Sequence, residues 1–125
     1  MSRDWLAFLD DMIRALEHVE GFCSGISEQE FQQDLRTLYA VQRAFEIVGE
    51  AAKQIPPDVR ARHPAIDWRR VAGFRDVFSH AYFRVDPTLV WDTAVNKAPP
   101  LREQLAHALR EESSREQGEL RGPIG

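Results

Sequence analysis

The sequence predicts an all-α domain, an up-and-down bundle of four or five helices. Apolar residues recur at three- and four-residue steps along most of the chain, and no segment alternates apolar and polar residues as a strand would. Prolines and capping residues mark where the helical segments begin and end. The links between segments are short, which favours antiparallel neighbours in a bundle.

An apolar stripe that begins at Trp5 predicts a first helix ending near Gly21. Ser27 and Glu30 form a capping box that starts a second helix, and Pro56-Pro57 stops it about 28 residues later. One flank of this second helix is polar. We interpret that flank as a solvated or partner-facing stripe rather than as catalytic carboxylates; it consists of Tyr39, Arg43, Glu46 and Glu50.

The second half of the chain begins with a connector, PPDVRARHPAI, which has room for one helical turn. A third helix is predicted to start at Asp67 and to run through the segment FRDVFSHAYFRVD, residues 74–86. Asp86-Pro87 starts a fourth helix, and Pro99-Pro100 interrupts it and begins a fifth, LREQLAHALREE. Residues 1–112 are therefore predicted to form one helical domain, and the polar tail 113–125 is predicted to be disordered.

Composition restricts the class of protein. The 125 residues are 43% hydrophobic and 29% charged, which suits one globular domain rather than a disordered chain. No run of 18 apolar residues predicts a membrane span, and three aspartates in the first helix disfavour a secretory signal. The single cysteine, Cys23, suits a reducing compartment. These features predict a cytoplasmic protein with no membrane partner.

Positive charge is concentrated in one region of an acidic chain. The net charge is −4, yet residues 60–84 contain six arginines and two aspartates, a local balance of +4. Arginine pairs with phosphate through its planar fork, so this region predicts either an anion site or arginines solvated on exposed helix faces. The sequence leaves both interpretations open.

Arg75, His80 and Tyr82 stand among apolar residues of the third helix. On a straight helix Arg75 and His80 point about 140° apart, whereas Asp76 can reach His80 and raise its pKa. Arg75 shares a face with Ser79 and Tyr82. Arg75 and His80 therefore meet only if the helix deforms, if the arginine swings round, or if two chains pool their residues. Two proton-transfer groups and a cation are what metal-independent RNA cleavage needs.

The segments RAFEIVGEAAKQIP and HPAIDWRRVAGFRDVFSHAYFRVDPTLVW closely resemble the HepT family of the HEPN superfamily. The family motif R-x4-H-x-Y is matched by Arg75, His80 and Tyr82, and the resemblance covers about residues 5–112. It implies a HEPN-type bundle of four or five helices that forms a homodimer, with the motif helices lining a cleft at the twofold interface.

The resemblance also implies a function. HepT-like proteins are toxins that cleave RNA without a required metal or cofactor, and their catalytic pair is by position Arg75 and His80. A nucleotidyltransferase antitoxin silences them by transferring AMP from ATP to the motif tyrosine, here Tyr82, and larger toxin–antitoxin complexes are possible. Asp76, where the family commonly has asparagine, and Ser79 are secondary site residues.

Two other functions are kept as alternatives. The first is a non-catalytic HEPN module that binds a nucleotide or a partner protein through the same cleft. The second is a helical dimer in which the motif only holds helices together. A metal site is not predicted, because His18, His63 and His107 lie on different segments without a second ligand at helical spacing.

Overall fold

The computed structural model describes residues 4–78 and 86–121, and every regular element within these ranges is helical. The helices are α1 (Asp4–Cys23), α2 (Glu28–Gln33), α3 (Leu35–Ala52), α4 (Pro57–Arg62), α5 (Trp68–Ala72), α6 (Phe74–Phe78), α7 (Pro87–Asp92) and α8 (Ala98–Arg121), with a π-helical turn (Thr93–Lys97) between α7 and α8. Helix α3 lies at the centre, where it packs against α1, α5 and α6, while α8 packs against α1. The prediction of an all-α bundle is confirmed.

The core is built from the apolar stripes of the long helices. Its fully buried side chains include Leu9, Leu16, Phe45, Val48 and Leu105, from α1, α3 and α8. Burial of each such side chain contributes about 1.5–3 kcal/mol, so the three stripes supply most of the stabilisation of the fold. Among the described helices, none combines the length and apolar content needed to cross a bilayer.

The predicted helix starts are confirmed by their caps. The Ser27 hydroxyl accepts a hydrogen bond from the Glu30 backbone N–H, and the Glu30 carboxylate accepts one from the Ser27 N–H, each at 3.1 Å. Asp67 caps α5 by accepting from the Arg70 N–H at 3.1 Å, and Asp86 caps α7 by accepting from the Thr88 N–H. Each cap satisfies a helix-end donor that would otherwise lack a partner.

The prediction of one uninterrupted second helix is wrong, because the chain breaks at Asp34 between α2 and α3. The Asp34 carboxylate accepts hydrogen bonds from the Thr37 N–H and from the Thr37 hydroxyl, at 3.2 and 2.6 Å. These two bonds lower the pKa of Asp34. A short polar side chain that caps the following turn competes with a continuing helix, and here the cap prevails.

The third helix starts at the predicted residue but is divided in two. Gly73 separates α5 from α6, although its N–H still donates to the Arg69 carbonyl at 3.0 Å and its carbonyl accepts from the Val77 N–H. Glycine weakens a helix because it loses the most backbone freedom on folding, which accounts for the division at this residue.

Pro99 and Pro100 do not interrupt the helical path, contrary to the prediction. The π-helical turn precedes them, and the Ala98 N–H donates to the carbonyl of Thr93, five residues earlier. The wider turn accommodates two residues that lack N–H groups and would crowd the carbonyls of an α-helix. Helix α8 then continues to Arg121, so it includes residues 113–121 of the tail for which the sequence predicted disorder. Residues in this stretch such as Glu, Arg and Gln favour helix sufficiently to extend one that is already formed.

Candidate active site

The structure describes two of the five predicted site residues. Arg75 and Asp76 lie on α6. Ser79, His80 and Tyr82 lie outside the described residues, so their roles stay predictions.

Helix α6 is fixed by an aromatic cluster beneath the motif. Phe74 and Phe78 are buried, and their rings pack against Phe45 of α3 with centroids 5.5 and 4.9 Å away. Such pairs contribute about 0.5–1.5 kcal/mol each beyond the burial of apolar area. Since both buried rings point into the core, Arg75 and Asp76 are directed to the surface of α6.

Gly49 allows α3 and α6 to approach each other closely. A Cβ atom added at Gly49 would collide with the backbone nitrogen of Arg75 and would lie 3.1 Å from its Cβ and 3.2 Å from the Ala72 carbonyl. The absence of a side chain at this one position therefore determines how near Arg75 lies to α3. The sequence showed a glycine inside a long helical stripe, but not what it contacts.

Glu50, the next residue, binds the predicted catalytic arginine. The Arg75 Nε–H donates to the Glu50 Oε1 atom at 3.0 Å. Both side chains are about half exposed, at 48% for Arg75 and 46% for Glu50. The bond uses the inner nitrogen of the guanidinium, and a guanidinium has five N–H donors. The outer nitrogens can therefore bind an anion while Glu50 fixes the orientation of the group.

Asp76 lies beside a lysine of α3. Its Oδ1 atom is 3.9 Å from the Lys53 Nζ atom, and both side chains are exposed. An exposed pair at this separation contributes little to stability. The contact leaves Asp76 available to other groups, and the predicted contact with His80 is not tested.

The polar stripe predicted on the second helix leads to Arg75. Arg43 donates to Glu46 at 3.2 Å within α3, and Glu50 follows one turn later at Arg75. Tyr39 and, one further turn away, Leu35 are well exposed for such large side chains. The prediction that this stripe does not hold catalytic carboxylates stays a prediction, and the structure adds that one member of the stripe, Glu50, contacts the predicted catalytic arginine.

The arginines of residues 60–84 do not gather at one point. Arg75 is bound to Glu50, Arg62 is bound to Glu112, and Arg84 lies outside the described residues. Arg69 and Arg70 are exposed and line a groove of about 470 Å³ together with Lys97. Both interpretations left open by the sequence, a local anion site and arginines solvated on exposed helix faces, therefore stay predictions.

A second charged cluster connects α4 to α8. The Arg62 guanidinium donates twice to the Glu112 carboxylate, at 3.0 and 2.5 Å, and His63 Nε2 lies 2.7 Å from the same carboxylate. The Glu112 side chain is 3% exposed. Hydrogen bonds from Arg62 lower the pKa of Glu112, with a smaller contribution from His63, although burial acts in the opposite direction. No pattern in the sequence indicates this cluster, because Glu112 is 50 residues from Arg62 and 49 from His63.

His63 is thus a structural residue. Its backbone carbonyl also accepts a hydrogen bond from the Trp68 Nε1–H at 3.0 Å, which joins α4 to the start of α5. Within residues 4–78 and 86–121, no group of three or more His, Cys, Asp or Glu side chains is arranged to hold a metal ion.

Comparison with known proteins identifies the family. The family model for ribonuclease HepT-like proteins matches residues 12–108. This chain belongs to the HepT-like ribonuclease family. It is 42% identical over 102 residues to a protein of Thermococcus cleftensis named as a probable ribonuclease HepT, which covers 82% of this chain and 93% of that protein.

Two relatives in Methanocaldococcus jannaschii are provisionally named as RNases. One is 33% identical over 119 residues, covering 95% of this chain and 98% of the relative, and the other is 35% identical over 110 residues, covering 88% and 95%. No solved structure gives a significant match. The resemblance to the HepT family predicted from the sequence is confirmed.

Proposed function

We propose that this HepT-like chain is the metal-independent endoribonuclease toxin of a toxin–antitoxin pair, and that Arg75 and His80 carry out its chemistry. The observation that supports this most strongly is the state of Arg75. Its guanidinium is half exposed and is held through Nε alone among the described residues, beside a glycine that fixes the helix carrying it. A cation in this state is suited to a phosphate.

The proposed reaction is an internal transesterification. A base removes the proton of a ribose 2′-hydroxyl, whose oxygen attacks the adjacent phosphorus and forms a 2′,3′-cyclic phosphate. The bond from phosphorus to the 5′-oxygen breaks, and that oxygen takes a proton from an acid. Histidine can serve as either proton-transfer group near neutral pH, and Arg75 stabilises the charge that grows on the phosphate oxygens. DNA lacks the hydroxyl and is not a substrate.

A dimer would supply two copies of each group. On a straight helix Arg75 and His80 point about 140° apart, so one chain does not readily present both to one phosphate. The exposed stripe that leads from Leu35 and Tyr39 to Glu50 supports a second copy of the chain as its partner, since its large apolar groups are exposed on the same helix that contacts Arg75. If the site is shared, cleavage per chain should rise with protein concentration in parallel with the dimer fraction measured by sedimentation equilibrium. Equal activity per chain across that range would contradict a shared site.

Glu50 is the positioning residue for Arg75 in this proposal. A carboxylate that holds Nε leaves the two outer nitrogens available to another ligand and lowers the loss of side-chain freedom when phosphate binds. Glu50 is not itself proposed to touch the RNA.

The test is RNA cleavage by freshly purified, unmodified protein in excess EDTA. We expect the wild-type chain to release fragments that end in cyclic phosphate, and His80→Ala and Arg75→Ala to lose at least about a thousandfold in rate. RNA binding without cleavage, lost in Arg75→Ala, would instead favour the non-catalytic module. No cleavage by any form, with a lower melting temperature for His80→Ala, would favour a purely structural motif.

The proposal includes control of this site by a nucleotidyltransferase antitoxin that modifies Tyr82. A nucleotidyltransferase would join the Tyr82 oxygen to the α-phosphorus of ATP as pyrophosphate leaves, and each AMP added would bring a negative charge near Arg75. Incubation with ATP and such an enzyme should raise the intact mass by multiples of AMP. The chain has two tyrosines, and Tyr39 is exposed, so Tyr39→Phe is a matched control. Labelling should persist in Tyr39→Phe and vanish in Tyr82→Phe; the reverse result would reject the proposed site.

A further inference from the structure

The groove lined by Arg69, Arg70 and Lys97 is distinct from the surroundings of Arg75. It is formed by α5 and α6 on one side and by α7 and the π-helical turn on the other. Arg75 contacts α3, whereas Val77, two residues later and about 200° further round α6, lines the groove. The two features therefore lie on different sides of α6.

The chemistry of the groove combines three cations with an apolar floor. Arg69 and Arg70 are exposed, and neither has an ion-pair partner among the described residues, while Lys97 lies 3.7 Å from Asp92. Asp67 is the one acidic residue among the described groove-lining residues, and its carboxylate caps α5. Two unpaired guanidinium groups on a chain of net charge −4 favour an anionic ligand at this position.

The floor of the groove offers apolar surface to a flat group. Val77 is 49% exposed and Leu89 is 42% exposed, and both line the groove beside the edge of Phe74. A volume of about 470 Å³ lies within the range of small-ligand sites, about 300–1,000 Å³. A single strand of nucleic acid offers phosphates to the cations at the rim and flat bases to the apolar floor.

Basic residues continue from the groove toward α4. Arg69 also lines a second depression, together with Arg60, Trp68 and Ala72. Arg69 is thus shared by the two depressions, with Arg70 in the groove and Arg60 in the second depression. Cations spread over two adjoining depressions match a polyanion better than they match a compact ligand such as a single phosphate.

We propose that this groove, with Arg69, Arg70 and Lys97 at its rim and Val77 and Leu89 on its floor, binds single-stranded RNA that flanks the scissile phosphate. The inference rests on the proposed ribonuclease function and adds to it a binding site remote from the reacting atoms. Because α6 with its side chains is about 10–12 Å across, a strand must extend beyond the scissile phosphate to reach both features.

The binding test uses a 2′-O-methyl RNA of about 12 nucleotides, a length within the usual range for single-strand sites. This probe lacks the attacking hydroxyl, so binding is measured whether or not the chain cleaves RNA. We expect Arg69→Glu/Arg70→Glu to weaken binding by about tenfold or more in fluorescence polarisation. The dependence of log K on log salt should become shallower by about 1.4, at about 0.7 per phosphate contact.

The matched control is Arg14→Glu/Arg36→Glu, which changes the net charge by the same amount at two exposed arginines outside the groove. Equal weakening by both double variants would overturn the proposal, because it would show a general charge effect. Leu89→Asn tests the floor separately, with an expected loss of several-fold in affinity at an unchanged salt dependence. A poly-glutamate peptide that binds as tightly, with the same loss in the groove variant, would assign the groove to an acidic protein instead.

Cleavage separates this proposal from the function on which it rests. The groove variant should lose about tenfold in kcat/KM on the 12-nucleotide RNA but should cleave a dinucleotide, which spans only the scissile phosphate, at the wild-type rate. A groove variant that cleaves both substrates at the wild-type rate would overturn the proposed groove site and leave the ribonuclease function unaffected. Absence of cleavage by the wild-type chain would overturn the ribonuclease mechanism. The groove as a binding site would then be decided by the fluorescence polarisation measurement.

Discussion

Two of the arginine–glutamate pairs that connect distant parts of this chain differ in burial. Arg62 and Glu112 join α4 to α8 with the carboxylate 3% exposed and the arginine 29% exposed. Arg75 and Glu50 join α6 to α3 with both side chains about half exposed. The buried carboxylate is used by two donors of Arg62 and by His63, whereas Glu50 holds Arg75 through Nε alone among the described residues.

The two pairs differ in what they contribute: one stabilises the fold, and the other leaves its guanidinium accessible. A buried carboxylate whose partner is removed becomes an uncompensated charge, so neither partner of the Arg62–Glu112 pair can be removed alone without loss of stability. An exposed pair contributes about 0–1 kcal/mol, so stability alone does not account for Arg75 and Glu50. What the exposed pair provides is a guanidinium that is oriented and still accessible to a ligand.

The largest effect on stability is expected at Glu112. Glu112→Gln removes the charge that Arg62 and His63 share, and we expect a loss of about 3 kcal/mol in the free energy of unfolding at pH 7. Urea denaturation measures this change. Glu111→Gln is the matched control, because Glu111 is the adjacent residue but is exposed, and it should change stability by less than about 0.5 kcal/mol. Equal effects of the two substitutions would show that the Glu112 cluster is not structural.

The same pair predicts how stability depends on pH. Hydrogen bonds from Arg62 lower the pKa of Glu112 in the folded protein, relative to an ordinary value of about 4.3 for glutamate. A group of this kind contributes stability that is fully present above its unfolded pKa and is lost as pH falls through its folded pKa. The difference in unfolding free energy between wild type and Glu112→Gln should therefore shrink as the pH falls below about 4. A difference that stays constant into strong acid would contradict the assigned interaction.

A smaller loss of stability, with a loss of activity, is expected at Gly49. Gly49→Ala forces α6 away from α3, at a cost of about 1–3 kcal/mol, and displaces the backbone of Arg75. Gly21→Ala is the matched control, because an added Cβ there meets no atom within 4 Å and alanine is the better helix former. Thermal unfolding and RNA cleavage should both fall for Gly49→Ala, and neither should fall for Gly21→Ala. A Gly49→Ala protein that cleaves RNA normally would show that the close approach does not position Arg75.

Among these substitutions, the smallest expected effect on stability is at Glu50. Glu50→Gln keeps the shape of the side chain but weakens its hold on Arg75, and we expect about a tenfold fall in kcat/KM, equivalent to about 1.4 kcal/mol. Stability should change by less than about 0.5 kcal/mol, because the pair is exposed. Glu50→Asp, which shortens the reach, should be less active than wild type, whereas the exposed Glu103→Gln on α8 should match it. Activity of Glu50→Gln equal to wild type would remove the positioning role.

The sequence predictions were accurate where a structural feature depends on residues that are close together in the chain. The caps at Ser27, Asp67 and Asp86 were predicted because each depends on residues two or three positions apart. The break at Asp34 and the π-helical turn before Pro99 were not, because in each case two local conformations compete closely. The catalytic roles of Arg75 and His80 and the regulatory role of Tyr82 stay predictions.

Contacts between distant segments were beyond the sequence pattern. Glu50 was recognised on the polar flank and Arg75 in the motif, but their contact depends on how Gly49 lets α3 approach α6. Arg62 and Glu112 are 50 residues apart, and no periodicity connects them. The family resemblance pointed to Arg75, whereas the residues that hold it in place emerged only from the packing.

The most direct test measures RNA cleavage in EDTA and melting temperature on the same preparations of Arg75→Ala and Arg62→Ala. We expect Arg75→Ala to lose at least about a thousandfold in cleavage with a melting temperature within about 2 °C of wild type. Arg62→Ala should lose several degrees or more in melting temperature and keep cleavage within about threefold at a temperature where it remains folded. Normal cleavage by Arg75→Ala, or a loss of cleavage that is matched by its loss of stability, would contradict the assignment of Arg75 to catalysis.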